Sequence, residues 1–187
     1  MQTVRLNKST LRALAQMDLT ELFREIYRNN YWGSDKHHVF YSGSGSHDEK
    51  LIRPYIDEVR KFLSSFATPP VVIDLGCGDF NIGRQLADLS SMYHGCDIVE
   101  QLIEYNLGKF GQDRIRFSCL DATTQILPPG DVLIVRQVLQ HLSNAAIQKV
   151  VKQFTDFAHV ILTEHIPQGG FVANLDKPSG PDSRLRV

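Results

Sequence analysis

Val71-Val72-Ile73-Asp74-Leu75-Gly76-Cys77-Gly78-Asp79-Phe80 is the stretch on which the fold turns. Its first five residues have the length and β-branched character of a strand buried on both faces. Two glycines follow, one residue apart, where a chain leaving such a strand must turn tightly. Four further short apolar runs, Tyr93–Ile98, Ile115–Leu120, Asp131–Val135 and Val160–Thr163, read as strands. Between them lie helical patterns. These are Ile82–Leu89, Val99–Phe110 with Leu102, Ile103 and Leu107 on one side, and a segment capped by Ser143 that carries Ile147, Val150, Val151 and Phe154. Strands alternating with helices predict an α/β fold, a mostly parallel sheet with helices on both faces.

Upstream the period is helical. Leu11 and Leu14 give a partial stripe, and Leu19, Leu22, Phe23, Ile26 and Tyr27 a clear one, with Asp18 and Glu21 placed as in a capping box. Residues 48–66 return to helical spacing, and Pro54 either kinks that helix or marks its first turn. Between the two patterns, residues 31–47 are rich in glycine and serine yet hold Trp32, Phe40, Tyr41, His37 and His38. Two readings stand: a loop pinned to the core by its aromatics, or a lid or binding loop. Residues 1–67 are therefore expected to be helices and a loop capping the cleft of a sheet domain at 68–187. The last 20 residues, with Gly169, Gly170, Pro178, Gly180 and Pro181, read as irregular chain.

The 187 residues suit one domain, and 42% hydrophobic with 22% charged residues argues against wholesale disorder. A net charge of −1 excludes a broad basic footprint, so no nucleic acid partner is expected. Cys77, Cys96 and Cys119 are scattered, without the spacing of a zinc site, and no metal is expected. Met1–Arg5 shows no apolar signal core, and the longest aliphatic run is the four residues Val132–Val135. These features predict a soluble cytoplasmic protein with no membrane partner.

Ligands of open α/β sheets bind beyond the carboxyl ends of the strands. Here those ends carry Asp74-Leu75-Gly76-Cys77-Gly78-Asp79, Asp97-Ile98, Asp121-Ala122, Arg136-Gln137 and Glu164-His165. Asp97 lies 19 residues after Gly78, where a carboxylate can accept both hydroxyls of a ribose. Asp121 with Ala122 is placed to meet an adenine edge. Asn81 stands where the dinucleotide fingerprint needs its third glycine, and no P-loop is present.

Taken in order, the glycine run, Asp97, Asp121-Ala122 and Asp131–Ser143 resemble the class I S-adenosylmethionine-dependent methyltransferases, over residues 71–165. Tyr31-Trp32-Gly33 and Ser42–Ser46 resemble the segment before the fold in a small bacterial branch of that family. The resemblance implies a Rossmann-like sheet with an N-terminal helical cap, and S-adenosylmethionine as cofactor. It implies that Asp74 orders the glycine loop and faces the cofactor's amino group, with Gly76, Cys77 and Gly78 under the methionine moiety. Cys77 would line the cofactor through its backbone. Asp97 would hold the ribose, Ile98 pack on the adenine, and Asp121 bond its amino group with Ala122 beside it. Arg136 and Gln137 would sit near the sulfonium, and Trp32, Ser42 and Gly43 would complete the cofactor site. Two departures stand out. Phe80 replaces a glycine common in the family, and the last strands of the usual sheet are missing from the pattern.

A general base helps when a hydroxyl takes the methyl group. His37, His38, Tyr41, His141, Glu164 and His165 are the candidates, with His141 and His165 preferred as catalytic residues; His94 and His159 read as structural. The acceptor is expected to be a small molecule. The competing functions are an NAD-dependent oxidoreductase, and a catalytically silent module that binds S-adenosylmethionine or a partner.

Overall fold

A computed structural model describes residues 6–166 and 169–182. The reading of Met1–Arg5 falls outside the described residues. Helices α1 (Lys8–Leu14) and α2 (Leu19–Arg28) start at Asn7 and Asp18. Their side chains accept from the backbone N–H of Thr10 and Glu21, both at 2.8 Å. Leu14, Leu22 and Ile26 bury the shared face of this pair, with Phe23 and Trp32 packed beside them. Helix α3 (Glu49–Leu63) continues through Pro54. The missing N–H there costs one hydrogen bond on an exposed side of the helix.

The sheet holds β1 (Val71–Leu75), β2 (Met92–Asp97), β3 (Ile115–Cys119), β4 (Val132–Arg136) and β5 (His159–Thr163). Helix α4 (Glu100–Phe110) joins β2 to β3, and α5 (Asn144–Val151) follows β4. All four pairings are parallel, in the order β3-β2-β1-β4-β5. The chain moves outward from β1 to β3, then crosses back to lay β4 on the other side of β1. That reversal opens a crevice beyond the ends of β1 and β4.

Alternation along the strands sorts the core into two layers. Val72, Tyr93, Val132 and Ile134 pack under Ile52, Ile56, Val59 and Leu63 of α3. Ile73, Leu75, Leu133 and Val135 pack on the other face against Ala146 and Val150 of α5. Both faces of the central strands β1 and β4 are thereby covered, as their near-continuous apolar runs predict, while Val160 and Leu162 of the edge strand β5 stay exposed.

Two expectations need correction. Residues 82–89 form no α-helix but two 3-10 turns, Gly83–Gln85 and Ala87–Leu89. Arg60 of α3 captures the Gln85 carbonyl, the acceptor that an α-helix would offer to the N–H of Leu89. Leu89 bonds the carbonyl of Leu86 instead, at 3.1 Å. In α4 the inward position belongs to Asn106, fully buried, while Leu107 is 54% exposed. The stripe therefore runs Leu102, Ile103, Asn106 and contains an amide.

Phe80 adopts the left-handed conformation, φ 63°, that a glycine would take without strain. Its ring is fully buried, with ring centroids of Phe117 at 4.8 Å, Phe110 at 5.3 Å and Tyr93 at 5.7 Å. Burial of the ring outweighs a backbone cost of about 1 kcal/mol. Replacing Phe80 should therefore destabilise by about 2–5 kcal/mol. Phe80→Gly should be the milder change and Phe80→Ala the harsher, the reverse of the usual order. Urea unfolding of the two variants checks the ranking.

Candidate active site

A cavity of about 1090 Å³ fills the crevice. Its floor is the strand ends. Its walls come from α1 and α2, the loop at 42–46, and the chain at 177–182. Among the described residues no group of three or more His, Cys, Asp or Glu is arranged to hold a metal ion, and no helix is long and apolar enough to cross a membrane.

The glycine loop is tied down at every peptide. The N–H groups of Gly76 and Cys77 both donate to the carbonyl of Cys96, at 2.8 and 3.1 Å. The Gly78 N–H donates to Asp97 Oδ2 at 3.1 Å, and its carbonyl accepts from Asn106 Nδ2 at 2.7 Å. Gly76 and Gly78 have φ of 72° and 53°. A Cβ on Gly76 would strike Val138, and one on Gly78 would strike the Ser42 hydroxyl. Both positions thus require glycine for conformation and for space.

Asp97 stands at the end of β2 with its carboxylate also accepting from the Val99 N–H at 3.1 Å. Burial pushes its pKa up to about 6, against the opposing pull of those backbone bonds. Asp121 anchors its own turn, accepting from the Thr123 N–H at 2.8 Å. Of the residues singled out from sequence, Gly76, Gly78, Asp97, Ile98, Asp121, Ala122, Arg136 and Gln137 line the cavity, and so do Trp32, Ser42, Gly43, His141 and His165. Asp74 and Cys77 do not. Strand alternation turns Asp74 to the α3 side, where it accepts from the Tyr93 hydroxyl at 2.9 Å and burial raises its pKa to about 6. The Cys77 thiol lies in the core beside Gly95, its pKa raised by burial.

The 42–46 loop is pinned and also lines the cavity. Its anchors are polar. Ser42 N–H donates to Asp79 Oδ2 and Asp79 N–H to Ser42 Oγ, each at 2.9 Å. His47 Nε2 meets the same carboxylate oxygen at 2.6 Å, with the Tyr41 ring stacked on the imidazole at 4.4 Å. Arg136 Nη2 donates to the Gly45 carbonyl at 2.7 Å, and Asn81 Nδ2 to that of Ser46 at 2.7 Å. Sequence reasoning missed Asp79, His47, Asn106 and the Tyr27 hydroxyl, which bonds Ser42 Oγ at 2.9 Å. No spacing links these residues; only Asn106, an amide within an apolar stripe, left a local trace.

The base candidates separate by position. His37, His38 and Tyr41 lie off the cavity wall. Glu164 accepts from the backbone N–H of Val138, Leu139 and Gln140, at 3.0, 2.8 and 3.3 Å, and so shapes the turn after β4. Burial drives the His141 pKa down to about 4. Its ring contacts the Gly180 carbonyl at 3.3 Å and Gln140 Nε2 at 3.2 Å, while Trp32 Nε1 donates to the Pro181 carbonyl at 3.0 Å. His141 and Trp32 thereby seat the 180–181 segment at the rim. His165 Nε2 lies 3.1 Å from Gln137 Nε2, and its pKa is lowered by burial and by the Arg136 charge.

Asp74 carries a stability consequence. Its folded pKa of about 6 lies above the ordinary carboxyl value, so the folded chain holds the proton more tightly than the unfolded one. Its contribution to stability is therefore full below about pH 4 and lost as pH rises through about 6. Asp74→Asn should stabilise the protein relative to the parent at pH 7.5, on the order of 2 kcal/mol more than it does at pH 4. Paired urea titrations at the two pH values measure that difference.

A profile of the family described as a methyltransferase domain matches residues 73–159. No curated protein sequence matches the chain. Among solved structures, magnesium protoporphyrin IX methyltransferase from Synechocystis PCC 6803, with bound SAM, is 19% identical over 79% of this chain and 76% of that one, with a TM-score of 0.56. A SAM-dependent methyltransferase from Leishmania major is 20% identical over 81% of this chain and 63% of its own, with a TM-score of 0.53. The YcgJ protein from Bacillus subtilis is 18% identical over 62% of this chain, with a TM-score of 0.51. The chain spans about half, 52%, of that protein. At such identities the likeness to these structures is one of fold. Over residues 73–159 the chain is similar to the methyltransferase-domain family, and its parallel β3-β2-β1-β4-β5 sheet has the Rossmann-like fold of these solved structures.

Proposed function

We propose that the protein binds S-adenosylmethionine in this cavity and transfers its methyl group to a small-molecule acceptor. The observation that carries the reading is Asp97, a carboxylate on the cavity wall at the end of β2, coupled through one hydrogen bond to the Gly78 peptide. In this reading Asp97 accepts the ribose hydroxyls, and Ile98 and Ala122 flank the adenine with Asp121 at its amino edge. Gly76 and Gly78 pass under the methionine moiety. Asp74 and Cys77 support the loop from behind. Helices α1 and α2 and the 42–46 loop act as the cap, with Trp32, Ser42 and Gly43 on its inner surface.

The cofactor supplies an activated methyl group; the protein supplies orientation and a dry site. His165 is the proposed general base. It lies on the cavity wall beside Gln137, and its lowered pKa keeps the imidazole neutral and able to accept a proton near pH 7. His141 is assigned to positioning, because its ring is engaged and its pKa of about 4 makes it a weak base. Nothing observed favours the oxidoreductase or the silent module over this reading. The cytoplasm and a non-nucleic-acid acceptor remain part of the same proposal.

Saturating S-adenosylhomocysteine, at 100 times its dissociation constant, should stabilise the protein by about 2.7 kcal/mol, roughly 5–11 °C in Tm. NAD should give no shift, and Asp97→Ala should abolish the response. A shift with NAD alone would sink the proposal. Affinity for S-adenosylhomocysteine should weaken as pH falls through about 6, where Asp97 takes up its proton. Titration calorimetry between pH 5 and 8 reads this trend. His165→Gln should lower kcat by roughly 10²-fold or more, with S-adenosylhomocysteine affinity unchanged. Labelled-methyl transfer into a panel of hydroxyl and amine acceptors tests it, and an unaffected kcat removes His165 from the mechanism.

A further inference from the structure

Arg136 is a buried cation without a counterion. It ends β4, on the wall of the cavity, and more than half of it is withdrawn from water. Its guanidinium lies 5.0 Å from the centre of the Tyr55 ring, which covers one side. One nitrogen, Nη2, makes a good bond to the Gly45 carbonyl, at 2.7 Å; Nη1 reaches Ser46 Oγ only at 3.4 Å. Nε is buried and has no partner. Among the described residues no carboxylate forms an ion pair with it. The two acids whose charges it feels, Asp74 and Glu164, are committed elsewhere, to the Tyr93 hydroxyl and to three backbone N–H groups.

A guanidinium taken out of water costs several kcal/mol unless an anion and hydrogen bonds compensate it. A carbonyl and a distant hydroxyl do not supply that compensation. The open side of Arg136 is the cavity, and its planar fork of donors matches a carboxylate. The neighbours on that side, Gln137 and the neutral imidazole of His165, offer the guanidinium no negative charge. An anionic ligand group is the missing partner.

We propose that Arg136 is the receptor for a ligand carboxylate. The inference rests on the methyltransferase reading for which ligands are considered: the carboxylate belongs either to the amino-acid end of the cofactor or to an acidic acceptor. Either source places the anion beside Gly45 and Ser46, on the loop that Arg136 already holds. A receptor that is neutral in the bound state also removes an electrostatic conflict, because an uncompensated guanidinium would repel the sulfonium.

The test uses two nucleosides and two acceptor probes on the full chain. S-adenosylhomocysteine carries the amino-acid carboxylate; 5′-methylthioadenosine has the same nucleoside without it. If Arg136 holds the cofactor, Arg136→Gln weakens S-adenosylhomocysteine by at least tenfold and leaves 5′-methylthioadenosine within threefold. Arg136→Lys, which keeps the charge but loses the fork, falls between. Unchanged 5′-methylthioadenosine affinity also certifies that the variant is folded. If Arg136 holds an acidic acceptor, both nucleosides bind the variants as before. Benzoate, but not benzamide, then raises the Tm of the nucleoside-loaded parent and fails to do so in Arg136→Gln. The proposal is overturned if both nucleosides weaken equally, or if both are unchanged and benzoate acts no differently from benzamide. If neither nucleoside binds the parent protein, the methyltransferase reading fails instead. The benzoate and benzamide comparison on the unliganded protein then decides Arg136 by itself.

Discussion

Gly78 is gripped on both sides, its N–H by Asp97 and its carbonyl by Asn106. Each grip comes from a different element, the end of β2 and the middle of α4. A residue with a positive φ has no place in a regular ladder, so its N–H and carbonyl need partners of this kind when buried. The clamp fixes the loop after β1, and with it the floor of the cavity. It also fixes the height of the cap. Gly78 offers no Cβ, and the space is taken by Ser42 and approached by Tyr27. Ser42 exchanges two hydrogen bonds with Asp79, the next residue of the same loop. The conformation of one residue therefore registers the 42–46 loop against the sheet.

Burying so many polar groups at one edge carries an electrostatic cost, and the molecule distributes it unevenly. Asp74 and Asp97 are both pushed toward their protonated forms by burial, and His141 toward its neutral form. Each has hydrogen-bond partners that limit the penalty without cancelling it. Acidic groups gather at the ends of β2 and β3, with Asp97 and Asp121. Cationic and neutral donors gather at β4 and after β5, with Arg136, Gln137 and His165. Such segregation suits a ligand whose two ends differ in charge and hydrogen-bonding character. Glu164 stands apart: its oxygens are occupied by the turn at 138–140, so it acts as a local scaffold.

Much of this was legible from periodicity. Alternation and glycine placement located five strands and their polar ends, because a strand buried on both faces leaves little choice of residue. Caps at Asp18 and Ser143 were visible for the same local reason. Errors arose where a distant side chain overruled a local pattern. Residues 82–89 have helical spacing, yet Arg60 of α3 takes the carbonyl that an α-helix would have used. Leu107 looks like core, but Asn106 is turned inward, where Gly78 supplies a partner. The Cys77 side chain turns into the core, which leaves only the backbone of that residue to face the loop's outer side.

The sequence alone determined the class of fold, the parallel sheet, the position of the crevice and the polar residues that the strand ends bring to its wall. These follow from short-range rules: the period of two in a strand, the turn that glycine permits, and the exposure of strand ends. Tertiary structure decided which polar groups work together. His47 with Asp79, Asn106 with Gly78, and Glu164 with the turn after β4 are joined across 24 to 32 residues. No local spacing encodes such pairs, because packing sets the distance between elements. The isolation of Arg136 is likewise a tertiary fact, since a missing counterion appears only when every neighbouring carboxylate has been assigned its partner.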